Sequence, residues 1–288
     1  MQVGQASKEV RISEQGQITD RFNAAIGNLG SQSPDIRMGG IFALQRIMQD
    51  SVRDQPAVVS VLSAFARQHA GSSTASLKEP LGDRLESPTP KPDIEAAIGT
   101  LARRKPGGDA GVIIDLSKSN LRGLHFAKKP AIRLPGVILS EADLRNAVLP
   151  GADLRNAFLE MAHLDRAFLQ EANLQGALLL GANFTHADLS RANLRGVKYT
   201  CPFQPTKGLK CLDLQYADLF EADLRNAKLS GVSLHKANLL GADLRGADLH
   251  RADLTGADFS DAKLAGVDLG EAKRAGAIGL PEESYSVR

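Results

Sequence analysis

The residues best equipped for chemistry in this sequence are its aspartates, and their spacing says what they do. Asp143, Asp153, Asp188, Asp218, Asp223, Asp243, Asp248, Asp253 and Asp258 all fall on one five-residue grid, each one place before a leucine or phenylalanine. Carboxylates repeated in this way bond nearby backbone at turns; they are not arranged as an acid and a base. His163 and His186 lie about one twenty-residue turn apart with Asp165 near them, which raises a metal site, but exposed turn histidines account for them better. Cys201 and Cys211 have no histidine close in sequence, so the zinc signal is weak. The chain has no glycine-rich phosphate loop, no nucleophile elbow and no cysteine finger spacing. These residues point to a non-catalytic protein with no cofactor and no metal.

The element that must position them is a repeat. From Leu134 to Leu269 a leucine-like residue returns every fifth place, with Ala two places before it and Asp or Asn one place before, as in Glu141-Ala142-Asp143-Leu144-Arg145. On an α-helix each step of five turns about 140° beyond a full circle, and in a flat strand an odd period sends successive leucines to opposite faces. The leucines share one interior only if the chain turns a corner every repeat. Four corners close a coil of twenty residues, and coils stacked about 4.8 Å apart pair their backbones. Leu144, Leu154, Leu164, Leu174, Leu224 and Leu244 are then core, Ala sits at the crowded corner, and Asp or Asn points out.

On these residues the chain resembles the pentapeptide-repeat family. The resemblance implies a mainly β fold, a right-handed quadrilateral β-helix, here of about seven coils, or roughly 35 Å. Two places break the repeat: Ala127 to Arg133 carries three extra residues with Lys128 and Lys129 at its tip, and the step from Tyr199 to Leu214 is fifteen. Cys201-Pro202-Phe203-Gln204-Pro205 has none of the repeat chemistry, so a loop of about ten residues at 200–211 is favoured over two degenerate sides. Its two cysteines would be free thiols in a cytoplasmic protein and a disulfide in an oxidising compartment.

Ahead of the repeats the pattern is helical. Ile18, Phe22, Ile26 and Leu29 form one stripe, Ile36, Ile41, Leu44 and Ile47 a second, and Val59, Leu62 and Phe65 a third, giving a small bundle over residues 1–70. Gly39-Gly40 falls in the second helix and suits close packing. Residues 71–111 read as a linker with Pro80, Pro88, Pro90 and Pro92, followed by a connecting helix with Asp93 as N-cap. The repeats are expected over 112–274, and 275–288, with Ile278, Leu280 and Tyr285, reads as a cap or tail. The helical block is similar to the segment that precedes the repeats in actinobacterial members, where a membrane segment often comes first; none is expected here.

Surface chemistry decides the partner class. Counted in twenties, Ile138, Phe158 and Leu178 form one apolar column, and Leu180, Phe220 and Leu240 a neighbouring one, with Met161 beside them. A wall the core does not need to be greasy is a contact surface, to be covered by the helical block, by a second copy in a homodimer or by an outside protein. Val148 and Phe168 make a shorter column. The resemblance brings an alternative partner, DNA gyrase, which some members modulate by imitating duplex DNA in shape and charge. That needs a strongly negative rod, yet residues 112–288 hold 21 Asp plus Glu against 22 Lys plus Arg, with Arg155, Arg195, Arg225 and Arg245 outward among the acids. Only the side with Asp218, Glu221, Asp258 and Asp261 is locally acidic. With a net charge of +2 and no basic column carrying aromatics, direct nucleic-acid binding is not expected. Without a spanning apolar run or a signal-peptide core in Met1 to Gln17, the protein is expected in the cytoplasm, off the membrane, as a protein-interaction scaffold.

Overall fold

A computed structural model of the 288-residue chain describes residues 2–73, 91–105, 111–126, 131–199 and 211–281, with side chains from residue 16 onward. The linker prolines Pro80, Pro88 and Pro90, the Lys128-Lys129 tip, Cys201 to Pro205 and Tyr285 lie outside the described residues. Two compact units result: Met1–His69 with Lys91–Ile114, and Ala70–Pro90 with Asp115–Arg288. Among the described residues no helix is long and apolar enough to cross a membrane.

Among its described residues the first unit holds four helices, α1 (Gln2–Leu29), α2 (Pro34–Asp50), α3 (Gln55–Ala70) and α4 (Pro92–Ala102). Proline in the first turn of α2 and α4 removes an N–H that would have no partner there. Both α1 and α4 pack on α2. The face of α1 that meets α2 is small: Ala25 and Leu29 are buried, whereas Ile26 is 38% exposed. The cause is Gly40, where a Cβ would lie 2.7 Å from the Ala25 carbonyl oxygen; Gly39 meets nothing within 4 Å. In α2 the expected Ile41, Leu44 and Ile47 are buried and Ile36 is exposed, and in α3 Val59, Leu62 and Phe65 are all buried.

Asp93 is not the cap of α4. It lies inside the first turn, where its buried carboxylate takes the Arg37 Nε at 2.6 Å and the Ile94 N–H at 3.1 Å. Arg37 also donates to the carbonyls of Ser31 and Gln32, so the pair fastens the starts of α2 and α4. The segment expected as a linker therefore contains a helix that belongs to the helical unit. Gly71 to Ser73, at its other end, pair with Lys118, Ser119 and Asn120 and cover the backbone edge of the first coil.

The second unit is a four-sided coil. Parallel bridges join residues twenty apart, for example Asp143 with His163 and Asp153 with Asn173, and each involves a single residue per side. A corner every five residues leaves no room for a longer strand, so strand content is nil among the described residues although the pairing is that of a β-helix. One repeat satisfies every backbone donor. Ala142 N–H closes the turn on the Leu139 carbonyl, Asp143 bonds the coil before at Ser119, and Leu144 and Asn146 bond the coil after at His163 and Asp165. The fifth N–H, of Arg145, goes to Asp143 Oδ1 at 3.1 Å, the turn-capping role expected of the aspartates. Leu144, Leu154, Leu164, Leu174, Leu224 and Leu244 are at most 1% exposed.

Register accounts for both interruptions. The first coil pairs at 23 residues (Asp115 with Ile138) and then at 20, so three residues are added without loss of phase. After Lys198 the spacing becomes 30 (Asn183 with Asp213, Lys198 with Lys228), then returns to 20. The spacing of paired positions is thus ten longer across this point than the regular twenty; 200–210, where the sequence favours a loop, lie outside the described residues. Pairing continues past 274 to Ile278, beyond the expected end, because Lys273 and Ile278 bond the Ala252 and Ala257 carbonyls even though Arg274 and Gly279 replace leucine at the centres.

Candidate interaction surface

Stacked bridges sort the outward positions into four walls. Wall A runs Asp115, Ile138, Phe158, Leu178, Lys198, Lys228, Asp248, Asp268; wall B carries Asp143, His163, Asn183 and Asp213; wall C carries Val148, Phe168, Asp188 and Asp218; wall D carries Asp153, Asn173, Asn193, Asp223 and Asp243. The corner residues between them stack in columns of their own.

Of the seven apolar residues read as one wall, five lie together. Ile138, Phe158 and Leu178 are successive on wall A, and Met161 and Leu180 occupy the corner between A and B. Phe158 is 40% exposed. Phe220 and Leu240 are not there: they stack on the corner between walls C and D, below Ser190, on the opposite side of the coil. The ten excluded residues are half a coil, so everything after them is displaced by two sides from a count in twenties. Val148 and Phe168 do stack, on wall C.

The corner between walls D and A carries the arginines. Arg155, Arg225 and Arg245 each fold back on the aspartate two places earlier, with Nε on Oδ1 and Nη2 on Oδ2: Arg155 on Asp153 at 2.8 and 2.7 Å, Arg225 on Asp223 at 2.8 and 2.6 Å, and Arg245 on Asp243 at 2.8 and 2.6 Å. Those guanidinium bonds hold the Asp153, Asp223 and Asp243 carboxyls below the usual carboxylate range. Arg195 differs because the residue two places earlier is Asn193, and among the described residues its guanidinium has no partner. A trough of about 490 Å³ opens here, lined by Arg155, Asn156, Gln175, Gly176, Arg195, Gly196 and Asn226. It borders wall A, since each corner leads into the wall position two residues on.

The corner between walls B and C holds what sequence reading missed. Arg166, His186, Tyr216 and Lys236 form a column of cations and aromatics, with His186 stacked on Tyr216 (ring centroids 4.8 Å apart), His235 edge-on to it and Lys236 Nζ 5.7 Å from the ring centroid. A count in twenties places His186 over residue 206, so the column is invisible without the half-coil shift. Both faces of the Tyr216 ring are occupied, which leaves no platform for a stacked base. His163 is on wall B and His186 on the corner, and the described residues contain no group of three side chains able to hold a metal. Beside them, burial pushes the Asp165 carboxyl upward; one oxygen accepts from Asn183 Nδ2 at 2.6 Å and the other has no partner. Cys211 is disulfide-bonded, in place of the free thiol expected in a cytoplasmic protein; the chain's other cysteine is Cys201.

No curated protein matches the chain. Among solved structures, HetL, a pentapeptide repeat protein involved in heterocyst differentiation regulation in the cyanobacterium Nostoc sp. strain PCC 7120, is 34% identical over 59% of this chain and 84% of its own, with a TM-score of 0.22. A trypsin-treated form of QnrB1, a plasmid-mediated fluoroquinolone resistance protein, is 21% identical over 49% and 76%, with a TM-score of 0.41. A pentapeptide repeat protein of the Arabidopsis thaliana thylakoid lumen is 28% identical over 43% and 65%, with a TM-score of 0.22. Eight copies of the pentapeptide-repeat model match residues 133–160, 162–198, 213–251 and 234–270, the stretch whose backbone closes the four-sided coil, and the chain belongs to the pentapeptide-repeat family.

Proposed function

We propose that the protein is a non-catalytic interaction scaffold whose solenoid offers wall A to another protein. The observation that supports this is the run Ile138, Phe158, Leu178 on an outward wall, widened at the corner by Met161 and Leu180. The core is complete without these side chains, so their apolar area is available to a partner at about 25 cal/mol per Å² buried. Apart from Val148 and Phe168 on wall C and Ile278 at its far end, the same outward position on the other walls holds polar or charged residues among the described residues.

For the rod as a DNA imitation, and gyrase as partner, local acidity is confined to one side, wall C with Asp218 and Asp258 and the corner with Glu221 and Asp261. Wall D's aspartates are neutralised in place by Arg155, Arg225 and Arg245, and wall A is apolar from Ile138 to Leu178, cationic at Lys198 and Lys228, and acidic only at Asp115, Asp248 and Asp268. Capture on immobilised full-length protein, with identification of what is retained, tests the scaffold reading against the double variant Phe158→Glu with Leu178→Glu. Loss of a specific retained protein is expected, at an unchanged thermal midpoint. Identical captured proteins from both would overturn it.

A further inference from the structure

The geometry points to an acidic peptide segment with apolar residues at one end as the ligand of wall A and its bordering trough. This rests on the scaffold reading and names the chemistry of the partner.

Along wall A the character changes from Phe158 and Leu178 to Lys198 and Lys228 within successive coils. Among the described residues neither lysine makes a side-chain hydrogen bond or ion pair; the two like charges stack on each other, and Asp248 follows Lys228 in the next coil. Arg195, three residues before Lys198 on the adjoining corner, has no side-chain partner among the described residues either. The fold has a ready way to neutralise an arginine at that corner, used at Arg155, Arg225 and Arg245, and Asn193 withholds it at this one place. Three open cations therefore sit at the lower end of an apolar strip. Carboxylates on a partner complete them, while its apolar side chains meet Phe158 and Leu178.

Shape agrees with a peptide chain. From Phe158 to Lys228 is three coil steps, roughly 14 Å, the span of about four or five extended residues. Beside the strip, Gly176 and Gly196 carry no side chain between Asn156 and Asn226, so a backbone can lie close. A nucleic acid strand would need cations along its whole length, and half of this strip is apolar.

The test uses the full chain and fluorescence anisotropy with a labelled hexapeptide, Leu-Phe-Gly-Glu-Asp-Glu, its counterpart with lysines in place of the acids, and a single-stranded oligonucleotide of thymidines. The acidic peptide is expected to bind about tenfold or more tighter than either. Gly196→Asn narrows the trough: nothing lies within 4 Å of a Cβ there, and Asn takes the same left-handed backbone at 156 and 226. That variant and Arg195→Gln should each weaken the acidic peptide about tenfold, Arg195→Gln at an unchanged thermal midpoint and Gly196→Asn while still folded at the assay temperature, and Arg166→Gln on another corner should not. Equal binding of the lysine peptide or the oligonucleotide, indifference to Gly196→Asn, or self-association that Phe158→Glu with Leu178→Glu abolishes would overturn the proposal. If the peptide fails while capture still depends on Phe158 and Leu178, only the acidic partner is lost; if capture is also indifferent, the scaffold reading goes with it.

Discussion

Asp165 and Asp243 occupy the same solenoid with opposite electrostatics. Burial raises the Asp165 carboxyl above the ordinary carboxylate range, so its folded form prefers the proton. The contribution of such a group is most favourable below the unfolded value near 4 and is lost as pH rises through the folded value. Asp165→Asn keeps the acceptor for Asn183 and removes the charge; the thermal midpoint should rise at pH 7 and not at pH 3. For Asp243 the sign is reversed: the Arg245 guanidinium lowers its folded value, as Arg155 and Arg225 do for Asp153 and Asp223, so stability is present above the unfolded value and lost as pH falls through the folded one. Calorimetry from pH 7 down to pH 2 should show a midpoint that falls in the acid limb, and Asp243→Asn should make that limb shallower. An unchanged limb would remove the Arg245 pair from the account of acid stability.

At the scale of elements, composition foretold the helices and packing chose their faces. Gly39 and Gly40 look alike in sequence, yet only Gly40 meets α1. Gly40→Ala forces the α1 backbone away from its 2.7 Å approach and should cost about 1 to 3 kcal/mol in denaturant unfolding followed by circular dichroism. Gly39→Ala, open on all sides, should be neutral or gain up to about 1 kcal/mol from helix propensity. The same limit explains Ile26 and Ile36, which fit the helical period but lie outside the contact that Gly40 fixes. Asp93 was legible as a helix-start residue; that it pairs with Arg37, 56 residues away, was not, because no local pattern carries a distant partner. In the solenoid, by contrast, the repeat itself sets which side chain is inside, and every core leucine follows from the five-residue period.

The whole molecule adds what a period cannot carry. Ten residues taken out of the coil rotate all later repeats by two sides, which separates Phe220 and Leu240 from Phe158, brings Tyr216 onto His186, and stacks Lys228 on Lys198. Core assignment survives such a shift because ten is a multiple of five; surface assignment does not, because ten is not a multiple of twenty. The rod also has a direction in stability. Interior coils are bonded on both sides: the Leu244 and Leu249 N–H groups reach the Lys263 and Asp268 carbonyls of the next coil. The last coil is bonded, among the described residues, on one side only. Among the described residues Leu264 and Leu269 have no backbone acceptor for their N–H groups and are half-buried, with Arg274 and Gly279 as the other two centres. In a quasi-one-dimensional stack each coil is held by its neighbours, so opening should start at this end and move inward. Hydrogen exchange read by mass spectrometry should find peptides from 262–281 exchanging before those from 242–261, and these before 162–181. Equal protection at Leu264 and Leu244 would mean that the terminal coil is covered, by the end of the chain or by a second copy, and that the rod does not fray from it.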